Sequence, residues 1–428
     1  MELLRKPLVL GCCLAVAGCA QGNLGGPGAL GPGGLSALPS APHAGAPASR
    51  MKRLSGSNGP QIYVFQGQPD AGTPQVGLVN IGNTLYGTTS AAGANNLGSV
   101  YSVTTGGVET VMHSFAGGAD GETPYGALTN VNGTLYGTTY QAGAAHGTIF
   151  SITPSGSYKV VYNFGTTTGD CIEPNSTMIY LPGKKALYGY AYRGGANGEG
   201  CIFKLNLAHK TPKESVVYSF TGSASSSTEA SAPVYYNGAL YLTTPGGGAN
   251  GLGAVVKVTF TGQESLVYSF GSEPDGAHPQ AGLTVVGNAL YGTTSEGGQG
   301  ACAGSAGCGI VFKVTAAGKE KVLYRFKDDV KVIDGANPQS PLIAIGNTLY
   351  GVTAFCSGTG CGAGVVFALN TSGKGGDSIV FDFLDTASDP DGYPLFPFGA
   401  LLSLNGMLYG TTEDSAKVGA GTVYAVPQ

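Results

Sequence analysis

At 428 residues the chain is long enough for two or three domains, yet only 11% of it is charged and its formal net charge is −4. That balance argues against nucleic-acid binding, which needs a clustered basic face. Glycine is abundant, at 74 residues, but it falls at fixed places in a repeat, unlike the aperiodic glycine of disordered chains.

Residues 1–18 read as a lipoprotein signal peptide. Arg5 and Lys6 precede the short apolar run Leu8 to Ala17, which is too short to span a bilayer comfortably. The run ends in Val16-Ala17-Gly18-Cys19, which resembles a bacterial lipobox. The resemblance implies acylation of Cys19 and stable attachment to a membrane. Ala20 follows where an aspartate would favour inner-membrane retention, so the expectation leans to the outer membrane of a bacterial cell envelope. An ordinary signal peptide with a chance cysteine is the alternative. Residues 19–60 are rich in Gly, Ala, Pro and Ser and read as a flexible tether. Such a tether reaches roughly 35 Å.

From residue 61 onward the chain repeats. The motif Thr134-Leu135-Tyr136-Gly137-Thr138-Thr139 returns seven times, centred on Tyr86, Tyr136, Tyr188, Tyr241, Tyr291, Tyr350 and Tyr409. The gaps of 50 to 59 residues point to a propeller or an array. In the second repeat, Tyr125 to Val131 reads as a first strand. Asn132-Gly133 is a type I′ turn, Thr134 to Tyr140 a second strand, Gly147 to Ile152 a third and Tyr158 to Phe164 a fourth. Four antiparallel strands per repeat match a propeller blade. The region opens with a fourth strand, Gln61 to Gln66, and closes with a third, Gly421 to Val426. A ring uses that offset, because the first strand then covers the edge of the last blade. The expectation is an all-β, seven-bladed propeller over 61–428, with 61–66 joining 396–428 in blade seven.

Loops after the second and fourth strands share one face, here the top, and they are long and variable. Loops after the first and third strands are short turns on the bottom. Function on rigid scaffolds concentrates in variable loops. The fourth-to-first loops carry a carboxylate, usually followed by glycine and then proline: Asp70, Asp120, Asp170, Glu229, Asp275, Asp334 and Asp391. Asp391 pairs with Pro394, and Glu229 sits in a Ser-rich departure before Pro233. Two readings stand side by side. The carboxylates ring the channel mouth as a cation site, or each caps its own loop through backbone N–H groups. Six cysteines follow the anchor and pair by proximity as Cys171 with Cys201, Cys302 with Cys308 and Cys356 with Cys361, as expected in an oxidising compartment. No metal-ligand spacing accompanies them. The histidines at 43, 113, 146, 209 and 278 occupy unrelated repeat positions, and no nucleophile elbow appears. No cofactor, metal or catalytic residue is expected.

The run Phe115-Ala116-Gly117-Gly118-Ala119-Asp120-Gly121, with Leu135 to Thr139 and Gly147-Thr148-Ile149-Phe150, resembles the GloVer (Gloeo-Verruco) tandem repeat of bacterial surface proteins. The resemblance covers 61–428 and implies a repeat fold at the cell surface, with no assigned activity. The chain departs from it in blade four, where Leu242 replaces the glycine and the Asp-Gly loop is lost. The functional expectation is a tethered, non-enzymatic propeller that binds a protein or glycan through its top loops. The alternatives are a hydrolase or lyase acting on polysaccharide, or a purely structural envelope protein.

Overall fold

The computed structural model describes residues 61–428 except 142–145, 223–229, 272, 300–301, 303–305, 328–333, 357–363, 384–393 and 416–418. The signal segment, Cys19, the tether, Glu229, Cys361 and Asp391 lie outside the described residues, as does the side chain of Cys356.

Blade two shows how one repeat folds. Its strands are Thr129–Val131, Thr134–Thr139, Thr148–Ile152 and Tyr158–Asn163, paired in that order as one antiparallel sheet. Asn132 and Gly133 both take positive φ, as the tight turn requires. The first strand is shorter than the expected Tyr125 to Val131. At Gly126 the chain presses on the next blade, where an added Cβ would lie 2.6 Å from the Ser176 carbonyl oxygen, and so it leaves the sheet plane there.

The same sheet recurs over 79–114, 179–219, 234–269, 284–325 and 343–382, and the seventh combines 402–427 with Gln61–Val64. Gln61–Val64 pairs antiparallel with Thr422–Pro427, so the ring closes as expected. The fold is a seven-bladed β-propeller. No α-helix occurs among the described residues, and none of their helices is long and apolar enough to cross a membrane.

Stability comes from the seams between blades. Seven buried clusters each draw on two neighbouring sheets. Leu135 and Tyr136 serve opposite seams of blade two: Leu135 packs with Tyr86 and Val100 of blade one, and Tyr136 with the cluster around Leu187 and Phe203 of blade three. Gly137 faces Phe150 in the register of strands two and three, and a Cβ there would collide with the ring. The glycine therefore makes room for a large aromatic side chain. Blade four inverts the arrangement, pairing Leu242 with Val256. The volume moves from one strand to the other, which explains why this blade tolerates leucine at the glycine position.

First strands lie innermost. Contacts across the ring include the Thr129 hydroxyl, which donates to the Met178 carbonyl at 2.5 Å. Strand-two threonines add ties from blade to blade: Thr88 to Gly126 O at 3.2 Å, Thr243 to Ala281 O at 2.8 Å and Thr411 to Val76 O at 2.9 Å.

Candidate functional site

Among the described residues, the top-face carboxylates do not form one shared site. Asp70, Asp275 and Asp334 are each bound into their own loop by the same three donors, and Asp120 and Asp170 by part of that set. Asp275 accepts from the Tyr268 hydroxyl, from Gly271 N–H and from Gly276 N–H, all at 2.8 Å. Asp70 does the same with Tyr63 at 2.9 Å, Gln66 N–H at 2.9 Å and Ala71 N–H at 2.7 Å. Asp334 uses Tyr324 at 3.0 Å, Lys327 N–H at 2.9 Å and Gly335 N–H at 2.9 Å. Asp170 is 5% exposed and takes Tyr162 and Gly165 N–H, both at 2.8 Å. Asp120 keeps the backbone bond from Ala116 at 2.8 Å, but His113 Nε2, 3.0 Å away, stands in for the tyrosine. The tyrosine always precedes the repeat phenylalanine by two residues on the outermost strand. The aspartates therefore clamp the outer edges of the blades. Of the two readings of the sequence, loop capping describes them, and the cation ring at the channel mouth does not.

Three residues after the aspartate stands a residue with positive φ, at Thr73, Thr123, Glu173, His278 and Asn337, and Phe396 takes the same conformation five residues after Asp391. It spans two blades. His278 N–H donates to Leu252 O of blade four at 2.9 Å, and His278 O accepts from Ser295 N–H of blade five at 3.1 Å. The proline that follows, Pro279, covers Gly253 at the start of strand three, which has φ +100° and no space for a Cβ. The three spaced motifs thus meet at one fastener, which is why they recur together. The fastener also corrects the reading of blade seven. Phe396 O accepts from Glu413 N–H at 3.1 Å, so Pro397, not Pro394, occupies the motif position. Pro394 instead begins a two-residue strand with Asp414 and Ser415 opposite it.

Sequence reasoning missed a further set of carboxyls. Glu109, Glu214, Glu264 and Glu320 stand at or one residue after the start of the fourth strands of blades one, three, four and five, and each has a buried Oε1 without a hydrogen-bond partner. Burial, and then Asp170, push Glu214 up to about 8. Burial, and then Asp70, raise Glu109 to about 7, and burial followed by Asp275 raises Glu320 to about 7 against the opposing pull of Arg325. Asp170 Oδ1 is also without a hydrogen-bond partner. The signal was visible as a glutamate six residues before the strand-four phenylalanine, but its neighbours across the seam were not.

Cys171 and Cys201 are bridged within blade three, with Cα atoms 5.8 Å apart, and Cys302 is bridged to Cys308 with Cα atoms 5.2 Å apart. Both pairings are those expected. Among the described residues, no group of three or more histidine, cysteine or acidic side chains could hold a metal ion.

One top-face cluster does not repeat. The Tyr140 hydroxyl donates to Glu173 Oε2 at 2.9 Å, and Arg193 Nε lies 3.4 Å from the same oxygen. Tyr125 packs edge-on against Tyr140 at 5.4 Å, and the Arg193 guanidinium stands 5.5 Å from the Tyr192 ring. The Arg193 side chain is 59% exposed. The cluster combines aromatic faces with a cation and a carboxylate at the blade two–three seam, a combination suited to recognition.

The sequence of the chain matches the family model for the Gloeobacter/Verrucomicrobia repeat over residues 52–185 and 237–428. The chain belongs to this repeat family. The gap in the match, 186–236, spans most of blade three and leads into blade four, where the fastener is lost. No curated protein matches the chain. Among solved structures, this repeat-family member is similar to a puromycin hydrolase at 10% identity, covering 83% of this chain and 53% of that one, with TM-score 0.49. It is similar to the β-propeller domain of the Trilobed protease from Pyrococcus furiosus at 6% identity, covering 82% and 92%, with TM-score 0.46. It is also similar to an acylaminoacyl peptidase of Pyrococcus horikoshii at 8% identity, covering 83% and 51%, with TM-score 0.46. The chain spans about half the length of the first and third of these enzymes.

Proposed function

We propose that the chain is a lipid-tethered, non-enzymatic propeller of the bacterial envelope, held at the outer membrane through Cys19, that binds a protein or glycan through its top-face loops. The supporting observation is how the top face uses its side chains. The described carboxylates that repeat are engaged in clamps, which leaves recognition to residues that do not repeat. Tyr140, Glu173 and Arg193 form the described cluster of that kind, and its aromatic and charged groups suit a polar partner. Two experiments test the proposal. Metabolic labelling with a radioactive fatty acid should mark the wild-type chain and not Cys19→Ser. Capture of surface material by the full-length chain on intact cells should fall with Tyr140→Ala and Arg193→Ala and be indifferent to Asn130→Ala in a bottom turn. Capture lost only through bottom-turn changes would place recognition on the other face.

A further inference from the structure

The bottom of the propeller carries a feature the repeat does not require. In every blade the repeat tyrosine of strand two faces one residue of strand three. The pairs are Tyr86–Ser102, Tyr136–Ser151, Tyr188–Lys204, Tyr241–Lys257, Tyr291–Lys313, Tyr350–Ala368 and Tyr409–Ala425. Four blades build the same pair with serine or alanine, so the fold does not need a cation there. Three consecutive blades, three to five, place a lysine. Strand three runs from top to bottom, so Lys204, Lys257 and Lys313 lie toward its bottom end, one or two residues before the strand stops.

The surroundings add to this arc. At the seam of blades three and four, Lys184 Nζ stands 4.0 Å over the Phe260 ring. Tyr188 packs on the same ring at 5.3 Å and Tyr235 at 6.0 Å. Tyr235 is 45% exposed on the innermost strand. In blade five, Lys313 Nζ is 5.3 Å from the Tyr291 ring. Among the described residues, no carboxylate forms an ion pair with any of these lysines. Blade one and most of blade two lack cations entirely, because residues 61–158 contain no lysine or arginine. A weakly acidic chain therefore has a positive, aromatic arc on one side of its bottom face.

We propose that this arc binds an anionic polysaccharide, with one acidic sugar residue or group of residues engaged per lysine. This goes beyond the top-face reading and is independent of it. Repetition of one cation per blade suits a ligand with repeated charges more than a single small anion. Ring faces beside the cations offer flat apolar contact to sugar rings. The lysines are half-buried on strand three itself, not on the turns that end it, a position that an extended chain suits better than a flat lipid surface. Anchoring by this face would leave the top face turned outward.

The test uses the full-length chain in detergent micelles, titrated with polygalacturonate, with neutral dextran and with phosphatidylglycerol vesicles. Polygalacturonate should bind with an affinity that falls as salt rises, and dextran should not bind. The triple change Lys204→Ser, Lys257→Ser, Lys313→Ser installs the residue that blades one and two already carry, so the melting temperature should hold. Its affinity for polygalacturonate should drop by at least about tenfold, because three charged contacts are lost. The corresponding triple arginine variant should retain binding, and Lys257→Ser alone should give a partial loss. Equal binding by the wild type and the triple serine variant would overturn the proposal. So would equal binding of dextran and polygalacturonate, or lysine-dependent binding of vesicles without binding of polygalacturonate.

Discussion

Two seams of the ring are built differently. At the seam of blades four and five, Asp275 clamps Tyr268, His278 spans the blades through two backbone bonds and Pro279 covers Gly253. At the seam of blades three and four much of this is replaced. Pro245 has no N–H to give where Ser295 gives one in blade five, and the Tyr218 hydroxyl bonds Glu264. Leu242 and Val256 stand where blade five has Gly292 and Phe312. The residues of the motif thus differ between the two seams as a set. A glycine without its aromatic partner, or a spanning residue without its proline, would leave a void or an unpaired backbone group.

The largest effect should come from forcing one seam part-way towards the other. Phe312→Val alone empties space under Gly292 and should cost about 2–4 kcal/mol in chemical denaturation. Gly292→Leu alone collides with Phe312 and should cost about 3 kcal/mol. The two together recreate the blade-four pair and should be less destabilising than either alone. Additive losses would show that the pairs are not equivalent. Removing one donor of a clamp is a smaller change. Tyr268→Phe leaves Asp275 two of its three bonds and should cost about 1–2 kcal/mol. A similar loss from Tyr63→Phe would extend the rule to the closing seam.

Much of this was legible in the chain order. Seven spaced motifs gave the blade count, and a terminal fourth strand gave the closure, because both depend only on recurrence. Partners across blades were not legible. The Tyr-x-Phe pattern at Tyr63, Tyr162 and Tyr268 marks the outer strand, but nothing local shows that its hydroxyl reaches the following aspartate rather than solvent. In blade seven, Pro394 and Pro397 both follow Asp391 closely, and only the bond from Glu413 N–H to Phe396 O distinguishes them. The lysine arc was hidden by averaging, since a net charge of −4 says nothing about which blades hold the cations.

A third, smaller prediction concerns pH. Glu214 in the folded chain is raised to about 8 from an ordinary 4.5, so the folded state holds a proton that the unfolded state releases. Its contribution should be complete below about pH 4.5 and lost as pH rises through about 8. Glu214→Gln should flatten the decline of melting temperature across that window. An unchanged slope would place the titrating groups elsewhere, with Glu109 and Glu320 the next to test.

The account holds that residues repeated in every blade build seams and that recognition belongs to those that are not. Asp275→Asn tests it most directly, by thermal unfolding of the full chain alongside capture of surface material at a temperature where the variant remains folded. The account predicts a melting temperature lowered by several degrees with capture unchanged. An unchanged melting temperature with capture lost would contradict it and make the clamp carboxylates a binding site.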